Sequence, residues 1–344
     1  MKVGIPRALL HYYYYPFFKT LFDELNIETI VSNPTTKEIM NKGIEHSVAE
    51  ICVPMKVFSG HVAELVDEVD YIFIPRMISI SKYEYFCPKF MGLPDMIRYT
   101  IPGVKEKIVS PKIDVADENI AKAKYYGEFK KKLGVKEKEL QKALKIAYGK
   151  WNDFRNYSKE GHTLVEALDG FDQNHYEVSN TKNDEIITIG LLGYVYNIYD
   201  EYVSMNIIEK LKDLKIRVVT FEMLDEHALT KSLTDLKKVP FWTFSNKLLG
   251  AGYCFYEDEN IDGIVHITAF GCGPDSMIGK ILELDSDQYK KPFMTIRVDE
   301  HSGENHLQTR IEAFADMIKR KKINLGGGTV NENNISLYGN TACI

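Results

Sequence analysis

Three cysteines stand where the pattern of the chain passes from loop to helix. They are Cys52 in Glu50-Ile51-Cys52-Val53-Pro54, Cys87 in Tyr85-Phe86-Cys87-Pro88-Lys89, and Cys272 in Phe270-Gly271-Cys272-Gly273-Pro274-Asp275. None belongs to a CxxC pair, and each has a proline one or two residues on, a residue that suits the first turn of a helix. A thiol in that place meets orphan backbone N–H groups and the positive end of the helix dipole, which favour its thiolate. Three thiolates converging from distant loops can hold an iron–sulfur cluster and leave one iron open. The rest of the fold must then carry three loops to one point.

Composition narrows the alternatives. The chain has 344 residues and is 44% hydrophobic, enough for two domains with a core each. A net charge of −6 argues against a general nucleic-acid or membrane-surface binder. The first residues, Met1-Lys2-Val3-Gly4-Ile5-Pro6-Arg7, read as a strand entering a turn rather than a leader segment, and no uncharged apolar run reaches membrane-span length. The expectation is a cytoplasmic protein. Five cysteines at spacings of 35, 167, 18 and 71 make no disulfide framework. In a reducing compartment they are inert core thiols, metal ligands or nucleophiles. Cys254, in an apolar-aromatic stretch, and Cys343, the penultimate residue, fit the inert role.

Other residues could act beside the thiols. Gly271 and Gly273 let the backbone approach a bulky ligand closely, although a tight turn with an incidental thiol, or a nucleophilic Cys272, suits the same motif. Asp275 or Ser276 could cap the helix that follows. His61 is a candidate ligand, proton donor or buried helix residue. Asp299-Glu300-His301-Ser302 follows a strand, where Glu300 and His301 suit acid–base work or an ion pair, and Ser302 suits a helix cap. Tyr194 and Asn197 occupy the equivalent turn of the second half, and Arg7 that of the first. No GxxxxGK[ST] phosphate loop is present.

The elements that must position these residues alternate strand and helix. Strands are predicted at 2–5, 28–32, 71–75 and 107–110, with helices opening at Pro16, capped by Thr35 with Glu38, and running from about Lys56 to Val69. A charge-rich helical stretch spans about 115–159, and 160–184 reads as a polar linker. The second half repeats the pattern with strands at 186–192, 217–221, 263–269 and 293–297. Val3-Gly4-Ile5 is echoed at Ile189-Gly190-Leu191. The reading is two similar open α/β domains, 1–114 and 185–344, joined by a helical and linker region, 115–184. Mainly parallel sheets bind ligands beyond the carboxyl ends of their strands, where Cys87 and Cys272 fall.

At these residues the chain resembles the 2-hydroxyacyl-CoA dehydratase superfamily, and within it the small acyl-CoA dehydratase activase-related proteins. The stretches that carry the likeness are GIPRALLHYYYYPFFKTLF, CVPMKVFSGHV, YIFIPRMISI, CPKFMGLPDMIR, AFGCGPDS and RVDEHSGENHLQTRIEAF. The resemblance implies two flavodoxin-like, doubly wound domains with a [4Fe–4S] cluster between them on Cys52, Cys87 and Cys272. A double-cubane cluster, found in other relatives, is the alternative. It further implies an ATP-hydrolysing iron–sulfur activator that supplies one low-potential electron, for reduction or dehydration of a small molecule or acyl-CoA. The chain is smaller than the full dehydratases, which pair two different subunits, so a homodimer or paralogous subunit is an expected partner. His61, Glu300 and His301 are then the expected catalytic groups. Gly271, Gly273, Arg7, Tyr194 and Asn197 are expected at the bound cofactor. The alternatives are a non-catalytic electron-transfer or scaffold component, and a metal-free or zinc-binding α/β protein.

Overall fold

The computed structural model describes residues 1–176 and 187–325. Cys343, Ile186 and the 177–184 part of the expected linker lie outside them. Among the described residues ten strands form three parallel sheets. The first sheet contains β1 (Lys2–Ile5), β2 (Glu28–Val31), β3 (Tyr71–Phe73) and β5 (Ile108–Val109), in the order β2-β1-β3-β5. The second contains β7 (Ile187–Leu192), β8 (Ile216–Thr220), β9 (Gly263–Ala269) and β10 (Phe293–Val298), in the order β10-β9-β7-β8. Each sheet sets its first strand between its second and third. The α/β class and parallel pairing expected from the sequence are therefore present. All seven residues of β9 are buried, as a central strand covered on both faces requires.

The third sheet, β4 (Arg76–Ser79) with β6 (Lys112–Asp114), was not anticipated. It prolongs β3 and β5 past Pro75 and Pro111, which cannot donate to a ladder. Pairing resumes at once, with the Arg76 N–H on the Pro111 carbonyl at 2.9 Å. This extension carries the chain beyond the sheet to the loop that holds Cys87.

Several helices differ from expectation in ways that matter to the site. The first runs from His11 to Glu24 with Pro16 inside it. Its buried Tyr13, Tyr14, Phe17, Leu21 and Phe22 outweigh the bond that Pro16 cannot make. It packs on helix Glu137–Lys159, where the Trp151 indole N–H donates to the Tyr13 carbonyl at 2.8 Å. That charge-rich segment therefore packs against the core. Part of the expected linker is the helix Leu164–Asp172, opened by a capping box of Thr163 and Glu166. Helix Lys37–Glu45 is capped by Thr36, not Thr35.

Helix Val53–Leu65, which starts directly after Cys52, lies unusually close to helix Lys37–Glu45. A Cβ on Gly43 would stand 1.9 Å from the Lys56 carbonyl oxygen, and one on Gly60 2.0 Å from that of Ile39. Only glycine admits such an approach. Among the described residues no helix is long and apolar enough to cross a membrane.

Candidate functional site

Cys52, Cys87 and Cys272 each occupy the position immediately before a helix, with extended backbone angles. The helices are Val53–Leu65, Pro88–Met91 and Gly273–Tyr289. All three cysteines line one cleft of about 860 Å³, its open mouth included. Its other walls include Met55, Phe86, Phe90, Tyr194, Tyr196 and Phe244. The cleft lies between the two halves of the chain, and backbone pairing fixes its width. Tyr85 pairs in parallel with Trp242, its N–H donating to the Phe241 carbonyl at 2.7 Å and its carbonyl accepting from Thr243 N–H at 3.0 Å. The Cys87 loop is thereby tied to the second half.

The Cys272 turn meets the Cys52 turn across the same cleft. Gly271 takes a left-handed φ of +79°, and a Cβ there would lie 3.7 Å from Cys52 Cα. Gly273 also lines the cleft, and a Cβ there would meet nothing within 4 Å. Lys89 Nζ stands 3.5 Å from the Gly271 carbonyl oxygen.

The electrostatics bear on what the site could hold. Burial pushes the Cys272 thiol well above its ordinary range, and the charges of Asp275, Cys52 and Cys87 push it further. Burial likewise raises Cys87, with Cys52 adding to it, while the amides of Phe90 and Lys89 pull it down. Cys87 and Cys272, each opposed in its ionisation by burial and by neighbouring sulfur, require a compensating positive centre before both can be thiolates. No group of three or more His, Cys, Asp or Glu among the described residues is placed to hold a metal ion. Three cysteine donors on one cleft are of the soft type that an iron–sulfur centre or a zinc ion takes.

Of the other predicted residues, Gly271, Gly273 and Tyr194 line the cleft, and His61, Glu300, His301, Arg7 and Asn197 do not. His61 is fully buried, with Nδ1 2.8 Å from Ser32 Oγ and Nε2 2.9 Å from Thr35 Oγ1. Burial, then the Arg7 charge, lowers its pKa to about 3. Glu300 accepts from Lys56 Nζ at 2.5 Å, and this bond joins the Cys52 helix to the end of β10. Although partial burial opposes it, the Lys56 bond holds the Glu300 carboxyl below its usual range. His301 is exposed, with its backbone N–H on Asp299 Oδ1 at 2.9 Å. Ser302 bonds to Asp299 rather than capping the last helix. The Arg7 amide donates to Ser32 Oγ at 2.8 Å, and its Nε is buried without an acceptor among the described residues. Asn197 is fully buried, and both amide atoms lack partners among the described residues. Asp275 turns inward to His266 Nε2 at 3.0 Å instead of capping. Cys254 is buried within helix Thr243–Glu257, outside the cleft.

The sequence reading gave no role to Lys56, Asp200 or Trp242. Lys56 lies one turn beyond Cys52 on the same helix face, a spacing that could have flagged it. Asp200 accepts from Thr35 Oγ1 at 2.5 Å across the two halves.

Residues 2–224, about two thirds of the chain, match the family model described as CoA enzyme activase uncharacterised domain. The chain belongs to this family. Residues 159–318 of the same chain match the 2-hydroxyglutaryl-CoA dehydratase D-component model, and the two matches overlap between the halves. Together they place this activase-family chain in the wider 2-hydroxyacyl-CoA dehydratase and activase superfamily. No curated protein matches it. Two of the three cysteines fall within the activase-domain match and the third within the dehydratase match.

Proposed function

We propose that this chain binds one [4Fe–4S] cluster through Cys52, Cys87 and Cys272 and serves ATP-coupled, low-potential reduction or dehydration of a small molecule or acyl-CoA. The observation that carries the reading is three helix-start thiols on one cleft, each from a different loop. When bound, such a cluster supplies one-electron transfer and an iron open to exchange. The residues around it have separable tasks. Gly271 and Gly273, which flank Cys272 on the cleft, would offer their amides to a bound cluster's sulfur. Tyr194, whose hydroxyl pairs with Ser245 Oγ at 2.7 Å, walls the cleft with Tyr196 and Phe244 and keeps bulk water from it. Asn197 is buried in the same turn as Tyr194 and Tyr196. His61 and Glu300 act as positioning residues, since each is bonded into the joint between the halves. The halves are two flavodoxin-like domains, 1–114 and 185–344, with 115–184 between them. The electron donor is an ATP-hydrolysing iron–sulfur activator, and the setting is cytoplasmic.

A second reading, a relay or scaffold within a larger reductase, is favoured by the cleft's walls. Among the described residues they bring no histidine or carboxylate to the thiols. Anaerobic reconstitution with iron and sulfide tests the first reading, with about four of each per chain expected for a [4Fe–4S] centre. Cys87→Ser and Cys272→Ser should lose the centre, while Cys254→Ser keeps it. Exchange-labelling of the open iron, seen as a change in the EPR signal on adding a small thiol or an acyl-CoA, separates the readings. A reconstituted protein with only zinc, or with equal iron in all three variants, refutes cluster binding.

A further inference from the structure

The two four-stranded sheets repeat one topology, and that topology makes a crevice twice. From its first strand the chain next joins the sheet on one side, and from its third strand on the other. Right-handed crossovers then send the two connections to opposite faces, and ligands bind where they part, beyond the carboxyl ends of the strands. In the second sheet that place is between β7 and β9, where Tyr194, Tyr196 and Cys272 line the cysteine cleft. In the first it is between β1 and β3, and a separate pocket of about 520 Å³, its open side included, stands there. Ile5 and Pro6 reach it from the end of β1, and Phe73, Pro75 and Met77 from β3 and its extension. Leu10 and Phe90 line both pockets, which therefore adjoin.

The walls of this second pocket define what could enter it. Among the described residues that line it none is Lys, Arg, Asp or Glu, so a charged ligand would find no counter-charge. Phe18, Phe58, Phe73, Tyr14 and Tyr15 supply aromatic surface suited to a ring packed edge-on or offset. Two polar atoms interrupt that surface. The Tyr14 hydroxyl and His11 Nδ1 are both buried with no partner among the described residues. Tyr14 is 1% exposed, so bulk water cannot serve its hydroxyl. A ligand that meets such atoms restores the hydrogen bonds that burial took from them. Burial, then the Arg7 charge, holds His11 well below its ordinary range, so its ring is uncharged at neutral pH and can offer one nitrogen as an acceptor. The volume falls in the lower half of the range usual for small-molecule sites, roughly 300–1,000 Å³, which suits a single ring.

We infer that this pocket binds a small, uncharged aromatic molecule with one hydroxyl, whose oxygen accepts from the Tyr14 hydroxyl and donates to His11 Nδ1. The inference needs no cluster and stands whether or not the thiols hold iron. The test is NMR of the chain labelled at its methionine methyl carbons, titrated with 4-methylphenol. Met77 lines this pocket and Met55 the cysteine cleft, so their two signals, assigned through Met77→Leu and Met55→Leu, report where the ligand sits. The Met77 signal should move saturably, and the Met55 signal much less. Tyr14→Phe removes only an oxygen that has no partner among the described residues, so circular dichroism should match the unaltered chain. It should raise the Kd for 4-methylphenol about tenfold and leave that for toluene, which lacks the hydroxyl, unchanged. On the unaltered chain 4-methylbenzoate, the same ring with a charge, should not compete. No saturable movement of Met77, a larger movement of Met55, equal affinity for 4-methylphenol in Tyr14→Phe, or competition by 4-methylbenzoate would each overturn the proposal.

Discussion

Cys272 is opposed in its ionisation by burial, by Asp275 three residues on, and by two other thiols. The same sulfur sits at a helix start, which by itself favours a thiolate. Burial is the largest cause and wins, so on these terms Cys272 stays a thiol at neutral pH. Neighbouring sulfurs also act on Cys87 and Cys272, and this gives a test that needs no metal. Replacing Cys52 with serine removes one negative neighbour from both Cys87 and Cys272. The pH at which each remaining thiol is half-alkylated by iodoacetamide, followed by peptide mass spectrometry, should therefore fall. Unchanged profiles would mean that the sulfurs do not share a site. The convergence was legible in the sequence because each thiol's setting is local: a cysteine, then a proline, then a helical pattern. The place of His61 was not. Its partners, Ser32 and Thr35, are 29 and 26 residues away, and nothing in its own segment names them.

At the scale of elements, two glycines decide where Cys52 points. Gly43 and Gly60 let two helices touch backbone to backbone, and Cys52 rides on the start of one of them. Gly43→Ala would drive a methyl group into the Lys56 carbonyl, which is backbone and cannot swing aside. The expected cost is about 1–3 kcal/mol, typical of overpacking. The accompanying shift of helix Val53–Leu65 should change the alkylation rate of Cys52 more than that of Cys272. A variant with unchanged Tm and labelling would show that the helices can part freely. The strands of both sheets were readable, because period and composition mark buried parallel strands. The β4–β6 extension was not, since a proline before a short polar strand reads as its end. The cap at Thr36 was misplaced by one residue for a related reason. Thr35 and Thr36 are equivalent locally, and only the Asp200 contact, 165 residues on, assigns Thr35 elsewhere.

At the scale of the whole molecule, function depends on what holds the two halves at a fixed cleft width, and these ties are polar and distant in sequence. Lys56 to Glu300 is one of them. Glu300→Ala would leave a buried ammonium unpaired, at a cost of about 3 kcal/mol, whereas Lys56→Met with Glu300→Gln should stay within about 1 kcal/mol of the unaltered chain. Urea unfolding of the three proteins measures this, and equal costs for the single and double changes would deny the pair its role.

Thr35 to Asp200 is the second tie, and its hydrogen bonds have one consistent direction. The Thr35 hydroxyl gives its only proton to the Asp200 carboxylate, so His61 Nε2–H must donate to Thr35, and Nδ1 must accept from Ser32. The Arg7 amide then satisfies Ser32. Burial raises the Asp200 pKa to about 6, so the folded state binds its proton more tightly than the unfolded chain does. The ionised carboxylate is thus a stability penalty that is full above pH 6 and fades as pH falls toward the unfolded value near 4. His61 works in the opposite sense. With its folded pKa near 3, the unfolded chain takes up a proton first, and stability declines as pH falls below about 6.5. The two effects partly cancel between pH 6.5 and 4, so the pair alone leaves the tie nearly insensitive to pH in that range. Asp200→Asn should break the cancellation. The stability of the unaltered chain relative to this variant should improve by about 2 kcal/mol between pH 7 and pH 4, as the carboxylate penalty disappears from one protein and not the other. Chemical denaturation of both proteins across that range reads the difference directly. A difference that stays constant with pH would mean that Asp200 ionises normally and that the joint between the halves lacks the buried carboxylate described above.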